Sequence, residues 1–411
     1  MPIRRLPTLL VNQIAAGEVI ERPANVVKEA VENALDAGAT QIDVTIESGG
    51  RDLVRVSDDG AGIPRDELLL AIAPHATSKI AEAEDLEAIG TLGFRGEALA
   101  SIASVSRLTL TSRPADQVEA WTVETEGDRV DEPRPSGAAP GTTVTVRNLF
   151  FNTPARRKFL KTDQTESTRC ADLVRRLAMA HPAVGFTLVS NGRTVIDLPR
   201  DQGMTDRVLD IVGRELEPRM LMLMREDRGL AMWGLVGQPE IARNATKGLW
   251  LFLNGRPIMD RSVIHAVKEA YRGLIEPSRY PTVALFIEMD PSLFDVNVHP
   301  TKAEVRFRQQ STVHAAVHDA VRDVLRGEDL TPAIDLDRAG ADARRASFGD
   351  GYSAAPEFGG GRTSTAAFVD YFKRLDPTER GFVYGEVKQA IAAESPELLV
   401  DDLPAARDPE V

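Results

Sequence analysis

The chain has 411 residues, of which 43% are hydrophobic and 27% charged, and its formal net charge is −13. This length exceeds one typical domain and predicts two, with a possible third segment. No apolar run reaches the roughly 18 residues that would cross a bilayer, so we expect a cytoplasmic protein without a membrane span. The acidic balance argues against a histone-like DNA binder, although it allows local basic patches. The single cysteine, Cys170, excludes an internal disulfide and a multi-cysteine zinc site.

A helix and a β-hairpin are the first elements that the sequence predicts. Apolar residues recur at helical spacing over 25–37, and Gly38 then marks the end of the helix. Alternating apolar and polar residues predict strands over 41–47 and 53–57. Later patterns predict helices over 97–104 and 167–180 and strands over 107–112, 119–126, 142–148, 186–190 and 194–198.

A second domain is predicted after residues 199–203, whose composition is typical of a linker. It contains predicted strands over 230–236, 249–253 and 282–289 and predicted helices over 262–274 and 311–326. The pattern weakens after Gly327. Residues 338–365 are rich in Ala, Gly, Arg, Asp and Ser and are predicted to be a flexible linker, with a short helix possible over 368–375.

Three polar residues share one face of the first helix. Glu29, Asn33 and Asp36 lie at positions i, i+4 and i+7, a stripe that by itself is more often a solvated face. The segment from Asp58 to Ile63 (Asp-Asp-Gly-Ala-Gly-Ile) follows an apolar strand, and its glycines allow a flat ligand to approach the backbone. A hairpin turn would use the same glycines, but the order of the two motifs along the chain favours a binding site.

A third motif has glycines at every third position, Gly90, Gly93 and Gly96, directly before a helix. Glycine leaves room for a phosphate, and the first helical N–H groups point toward an anion. The spacing matches neither the Walker phosphate loop nor a dinucleotide fingerprint. Residues 75–79 add hydroxyls and an ammonium group, and residues 141–144 (Gly-Thr-Thr-Val) add a polar start to a strand.

Together these motifs resemble the ATPases shared by gyrase B, Hsp90, histidine kinases and MutL. More narrowly, residues 12–20, 75–79, 93–99 and 148–160 are similar to the MutL family of DNA mismatch repair proteins. The resemblance implies an α+β chain. Residues 1–200 would form a GHKL (Bergerat-type) two-layer α/β sandwich, residues 204–327 a ribosomal protein S5 domain 2-like transducer and DNA-binding domain, and residues 328–411 a disordered tail without the C-terminal dimerisation domain.

The resemblance also implies ATP and Mg²⁺ as cofactors. Glu29 would polarise the water that attacks the γ-phosphate, and Asn33 would bind Mg²⁺. Asp58 would accept a hydrogen bond from the adenine amine with support from Thr143, and Lys302 would reach the γ-phosphate from the second domain. The other expected nucleotide contacts are Gly62, Thr77, Ser78, Lys79, Gly93, Phe94, Arg95, Gly96 and Leu99.

In the family that it resembles, the chain would act as a repair matchmaker. ATP would order the lid and the N-terminal arm and pair two N-terminal regions into a homodimer that clamps DNA. Arg261 would contact the DNA backbone. Arg156, Arg157 and Lys158, and the pair Arg175-Arg176, are either further DNA contacts or solvated faces. The implied partners are a MutS-type mismatch sensor and a downstream nuclease or helicase, in the bacterial cytosol.

Other interpretations remain open at this point. One is a gyrase-like or Hsp90-like ATPase, and another is an ATP-sensing scaffold without meaningful turnover. Nuclease activity is not predicted, because no Asp-Gln-His-Ala metal motif occurs in the sequence. His314 and His318 lie at i and i+4, but the sequence shows no further ligand at metal-site spacing, so we expect surface histidines.

Overall fold

The computed structural model describes residues 16–17, 19–77, 96–127, 129–295 and 305–327. Its helices are α1 (Pro23–Asp36), α2 (Leu68–Ala71), α3 (Ala98–Ser104), α4 (Pro154–Phe159), α5 (Asp163–Ala180), α6 (Met204–Val212), α7 (Arg261–Ala270) and α8 (Gln310–Gly327). Its strands are β1 (Gln41–Glu47), β2 (Leu53–Asp58), β3 (Arg107–Arg113), β4 (Ala120–Glu126), β5 (Arg129–Val130), β6 (Arg134–Ser136), β7 (Gly141–Arg147), β8 (Gly185–Ser190), β9 (Arg193–Leu198), β10 (Met220–Asp227), β11 (Leu230–Gly237), β12 (Leu249–Leu253), β13 (Arg256–Ile258), β14 (Val283–Glu288), β15 (Phe294–Asp295) and β16 (Arg306–Phe307). The predicted tail elements at 338–365 and 368–375 lie outside the described residues.

The first unit is built on one mixed sheet. Its strand order in the described residues is β5-β4-β3-β7-β2-β1-β8-β9, with β6 paired to β4. All neighbours are antiparallel except β1 and β8, which are parallel. This pairing places β2 and β7 side by side although they are far apart in the sequence. Because the two strands are antiparallel, the end of β2 lies beside the start of β7.

Helix α1 packs its apolar stripe against this sheet and against α5. Val27, Val31 and Leu35 are buried in a single core with alternate residues of β1 and β2. Pro23 suits the first helical turn, where its missing N–H costs no hydrogen bond. Gly38 has φ of 82°, the left-handed conformation expected just after a helix end. The polar stripe of α1 is thereby turned away from the core.

The second unit is a smaller sheet with helices on both faces. Its strand order is β10-β11-β14-β12-β13, with β12 and β14 parallel. Alternate residues of β12 face opposite ways: Leu251 packs under α7 and α8, and Phe252 faces α6 and the end of α5. A strand covered on both faces is apolar throughout, which explains the sequence Leu-Trp-Leu-Phe-Leu. The predicted α+β class with a second, smaller α/β unit is confirmed.

The connection between the two units is held by a fully buried arginine. Arg207 on α6 donates hydrogen bonds to the carbonyls of four residues and to the side chain of Gln202. Those carbonyls belong to Ala178, Pro182, Val184 and Pro199. Residues 199–203 were predicted to be a linker, and the structure shows that Arg207 anchors the carbonyl of Pro199 within it.

One predicted element needs correction, and several elements of the second unit were not predicted. The helix expected over 262–274 ends at Ala270, because the chain turns there and Tyr271 inserts its buried ring into the core, where its hydroxyl donates to the Gly237 carbonyl. Strand β10 and helix α6 were not predicted at all. None of the described helices is long and apolar enough to cross a membrane.

Candidate functional site

Glu29 and Asn33 lie one turn apart on α1 and are partly exposed, as a contact with a ligand requires. The Glu29 side chain is 21% exposed, and its Oε1 lies 3.6 Å from Nζ of Lys28. The same ammonium lies 3.4 Å from Oε1 of Glu32, which is buried. The polar stripe is therefore not a fully solvated face. It includes a buried carboxylate, Glu32, that the sequence analysis did not single out.

The C-terminal end of α1 is joined directly to the glycine loop that follows β2. The Ala61 N–H donates to the Ala37 carbonyl at 2.9 Å, and a Cβ on Gly60 would lie 2.9 Å from the same oxygen. Gly62 has φ of 75°, and a Cβ there would lie 2.5 Å from the Arg113 carbonyl oxygen. Both glycines are required by close backbone packing. The loop therefore lies tightly against the helix that carries Glu29 and Asn33.

Asp58 ends β2 within this loop junction. Its Oδ1 accepts hydrogen bonds from the N–H of Gly60 at 2.9 Å and of Thr142 at 3.3 Å. Burial raises the pKa of Asp58 to about 6, and these hydrogen bonds only partly oppose that effect. A carboxylate held in this way suits the recognition of a hydrogen-bond donor on a ligand.

The adjacent Asp59 has a structural role. It accepts hydrogen bonds from the Thr40 N–H, the Thr40 hydroxyl and the Gln41 N–H at 2.6 to 2.8 Å. Burial acts to raise the pKa of Asp59, but these hydrogen bonds outweigh it and leave the pKa below its ordinary value. The pKa values of the two neighbouring carboxylates are thus shifted in opposite directions, which separates their roles.

The prediction that Thr143 supports Asp58 is wrong by one residue. In the register of β2 and β7, Thr142 lies opposite Asp58 and Thr143 lies opposite Ser57. The Thr143 hydroxyl is 2.8 Å from the Ser57 hydroxyl. Because neighbouring residues of a strand point to opposite faces, Thr143 lies on the other side of the sheet from Asp58. Thr142 is the residue that contacts Asp58.

Ser112 is a buried residue that hydrogen-bonds to two other segments, and the sequence analysis did not predict it. Its hydroxyl accepts from the Ile63 N–H at 2.7 Å, lies 2.9 Å from the Thr142 hydroxyl and donates to the Gly141 carbonyl at 3.0 Å. These bonds tie the glycine loop to the start of β7. No pattern along the sequence marked Ser112, because its partners come from two other segments.

The start of α3 lies close to residues 75–77. Gly96 has φ of 62°, and a Cβ there would lie 2.7 Å from the Ala76 carbonyl oxygen. Nδ1 of His75 lies 3.1 Å from Oε1 of Glu97. Thr77 is exposed, and Leu99 packs on the first core. The remaining predicted nucleotide contacts lie outside the described residues: Ser78, Lys79, Gly93, Phe94, Arg95 and Lys302.

The basic residues that were candidates for DNA contact differ in their surroundings. Lys158 and Arg261 are exposed. Arg157 lies 3.6 Å from Asp52, and the guanidinium of Arg156 packs directly against Gly17. This packing suits Arg156 to anchoring the N-terminal segment rather than to meeting a phosphate.

Arg176 packs against the second unit. Its guanidinium lies 4.9 Å from the centre of the Trp250 ring and donates to the Leu249 carbonyl at 3.3 Å. Its pKa is lowered because the side chain is largely buried. Arg176 therefore joins α5 to β12 of the second unit, and its guanidinium is engaged by groups of the protein itself.

Two histidines from different helices meet on the second unit. Nδ1 of His265 lies 2.9 Å from Nε2 of His314, a contact between α7 and α8 that the sequence analysis did not predict. Among the described residues, no group of three or more His, Cys, Asp or Glu side chains is arranged to hold a metal ion.

Two family profiles match the chain. The profile described as "Histidine kinase-, DNA gyrase B-, and HSP90-like ATPase" matches residues 21–134, and that described as "DNA mismatch repair protein, C-terminal domain" matches residues 208–326. The chain is 52% identical over 332 residues to the DNA mismatch repair protein MutL of Geobacter sulfurreducens, covering 81% of this chain and 54% of that protein. It thus spans about half the length of the curated relatives that it matches.

Solved structures give the same result. The N-terminal domain of a DNA repair protein matches with a TM-score of 0.66 and 25% identity, over 78% of this chain and 99% of that one. The MutL ATPase domain of Aquifex aeolicus, complexed with ADP, matches with a TM-score of 0.50 and 32% identity, over 66% of this chain and 94% of that one.

The mixed sheet, α1 with its Glu29 and Asn33, and the Asp58 loop define a GHKL-type ATPase domain, here followed by a smaller α/β unit of the kind found in mismatch repair proteins. The chain belongs to the MutL family of DNA mismatch repair proteins.

Proposed function

We propose that this chain binds ATP and hydrolyses it slowly at the site on α1. One arrangement carries the proposal: Glu29 and Asn33 lie one turn apart on α1, and the carbonyl of Ala37, directly after this helix, is bonded to the loop that follows Asp58. The helix that carries the Glu29 carboxylate and the Asn33 amide is thus bonded to the loop that begins at the Asp58 carboxylate. The ADP complex of the Aquifex aeolicus relative supports a nucleotide as the ligand.

Asp58 would select adenine. An ionised carboxylate accepts a hydrogen bond from the exocyclic amine of adenine, whereas guanine presents a carbonyl oxygen at the equivalent position. A buried polar group left without its partner costs binding free energy, so ATP would be favoured over GTP. Gly62 would let the base approach the backbone closely, because no side chain stands in the way.

Residues of α1 would carry out the chemistry of hydrolysis. Mg²⁺ prefers oxygen ligands and usually takes only one or two from the protein, the others coming from phosphates and water. The amide oxygen of Asn33 is a ligand of this kind, so the residues present fit this ion. When bound, Mg²⁺ supplies positive charge to the phosphates. Glu29 would orient and deprotonate the attacking water, and Lys302 of the second unit would offset charge on the γ-phosphate.

We infer that the chain supplies the ATPase region, proposed as residues 1–200, and the DNA-binding region, proposed as residues 204–327, of a mismatch repair matchmaker. ATP binding would pair two copies around DNA and so couple a MutS-type mismatch sensor to a downstream nuclease or helicase. Lys158 and Arg261 are exposed and would contact the DNA backbone, together with Arg157, the exposed neighbour of Lys158 in the sequence. Such contacts are independent of sequence and weaken as salt concentration rises.

Steady-state phosphate release tests the proposal. We expect the wild type to release phosphate from ATP with Mg²⁺, to release far less from GTP, and to lose ATP turnover with Asn33→Ala. Glu47→Gln changes an exposed acid on β1 and serves as the matched control, with turnover like that of the wild type. Equal turnover of ATP and GTP, or an unchanged rate in Asn33→Ala, would contradict the proposal.

A further inference from the structure

Arg256 opens β13, the edge strand of the second sheet. It lies opposite Leu253 in the β12–β13 register, and its side chain is partly buried. Strand β13 also packs against α5 of the ATPase unit. An arginine at this edge therefore lies at the boundary between the two units, on the side where α1 and α5 pack together.

Two carboxylates of α1 act on Arg256 across this boundary. They belong to Glu32 and Asp36, which lie four residues apart and therefore share one face of the helix. Burial lowers the pKa of Arg256, and the charges of these two carboxylates oppose that shift. The Glu32 carboxylate is buried, and a buried negative charge needs a nearby cation to offset its lost hydration. Lys28 supplies one such cation and Arg256 a second.

Arg256 is one of several contacts between the two units. Other contacts join them: the apolar cluster that includes Met179 and Phe252, the Arg176 contact with Trp250, and the buried hydrogen bonds of Arg207. Arg256 differs from these contacts because it acts on α1, the helix that carries Glu29 and Asn33. Asn33 directly follows Glu32, and Glu29 precedes Glu32 by one turn.

We propose that Arg256 is a positioning residue of the ATPase site: through Glu32 and Asp36 it fixes α1, and with it Glu29 and Asn33, relative to the second unit. The inference rests on the ATPase activity proposed above. Without Arg256, two carboxylates beside Asn33 lose a cation, and the negative potential rises where Mg²⁺ and the triphosphate would bind. Arg256 would thus link the second unit, which binds DNA in the proposed function, to the rate of hydrolysis.

The first experiment compares kcat and KM for ATP in Arg256→Gln, Arg256→Lys and a control. We expect Arg256→Gln to lower kcat by about 2- to 30-fold, the range typical of residues that couple two sites. ADP affinity should stay within about twofold, because the Asp58 loop is untouched. Arg256→Lys, which keeps the charge, should recover most of the loss.

The matched control is Arg225→Gln. Arg225 also pairs with two carboxylates, Asp227 and Asp323, but all three belong to the second unit. The kcat of Arg225→Gln should equal that of the wild type. A wild-type kcat in Arg256→Gln, or an equal fall in both variants, would overturn the inference.

The second experiment is a double-mutant cycle that combines Arg256→Gln with Glu32→Gln and with Asp36→Asn. The effects on kcat should be non-additive, because each variant removes part of the same interaction. Additive effects would overturn the inference. If Arg256→Gln does not fold, Arg256→Lys combined with Asp36→Asn tests the same coupling. A wild type without turnover would instead refute the ATPase proposal, so the two failures are distinguishable.

Discussion

Asp58 at the end of β2 accepts a hydrogen bond from the N–H of Thr142 at 3.3 Å, across 84 positions of sequence. The two residues meet because β2 and β7 are antiparallel neighbours in the first sheet. The same carboxylate oxygen accepts from the Gly60 N–H. The orientation of Asp58 is therefore set by backbone groups of two segments, which makes it a rigid part of the proposed adenine site.

Replacing Asp58 with Asn should stabilise the fold while it weakens nucleotide binding. A pKa raised to about 6 means that the native state holds a buried charge at pH 7.5 at some cost. Removing that charge should raise the free energy of unfolding by on the order of 1–3 kcal/mol. ADP affinity, measured by calorimetry, should fall by about tenfold or more, since the amide offers an N–H where an acceptor is needed.

Asp59→Asn is the control for this experiment, with the opposite expectation. The pKa of Asp59 lies below its ordinary value, so its charge stabilises the native state at neutral pH. Urea unfolding should show a loss of stability in Asp59→Asn. A loss of stability in Asp58→Asn as well would contradict the argument.

Nucleotide affinity should depend on pH through Asp58. The carboxylate accepts a hydrogen bond from adenine only when it is ionised, and its pKa is about 6. Affinity should be constant above about pH 7 and fall as the pH decreases through 6. Titration calorimetry with ADP between pH 7.5 and 5.5 measures this. An affinity that rises on acidification would show that Asp58 does not accept from the base.

Arg207→Met should strongly destabilise the chain. The substitution removes five hydrogen bonds and leaves buried carbonyls without their donor. We expect a loss of about 3 kcal/mol or more in the free energy of unfolding. Arg214→Met, at an exposed arginine that pairs with Asp206 and Asp210, should cost less than about 1 kcal/mol. Similar losses in the two variants would show that Arg207 has no special role at the junction.

The second unit should lose stability in mild acid through His314. Burial and the charges of His265 and His318 lower the pKa of His314, with Glu269 opposing them. Because the folded-state pKa lies below 6.5, the unfolded chain takes up the proton first, and stability falls as the pH decreases through 6.5. Urea unfolding between pH 7.5 and 5.5 should show this slope. His314→Asn should reduce it, and an unchanged slope would remove His314 as the cause.

The sequence contained enough information for α1, since its apolar spacing and Gly38 are local signals, and for the glycine loop. It could not separate Thr142 from Thr143, because only the register with β2 decides which of them faces Asp58. Strand β10 begins Met-Leu-Met-Leu-Met, in which apolar residues follow one another without the alternation that marks a strand.

Contacts between segments that are far apart in the sequence were also not predicted. Arginine is normally exposed, so nothing in the sequence marked Arg207 as fully buried. His265 meets His314 only because α7 and α8 pack side by side. For the same reason, Arg256 gave no local sign of its two carboxylates on α1.

The central claim is that Glu29 activates the water that hydrolyses ATP. Its most direct test measures ATP binding and phosphate release in the same preparation of Glu29→Ala. The variant should bind ATP within about threefold of the wild type and lose at least about 100-fold in turnover, as expected for loss of a general base. Turnover equal to that of the wild type would contradict the claim.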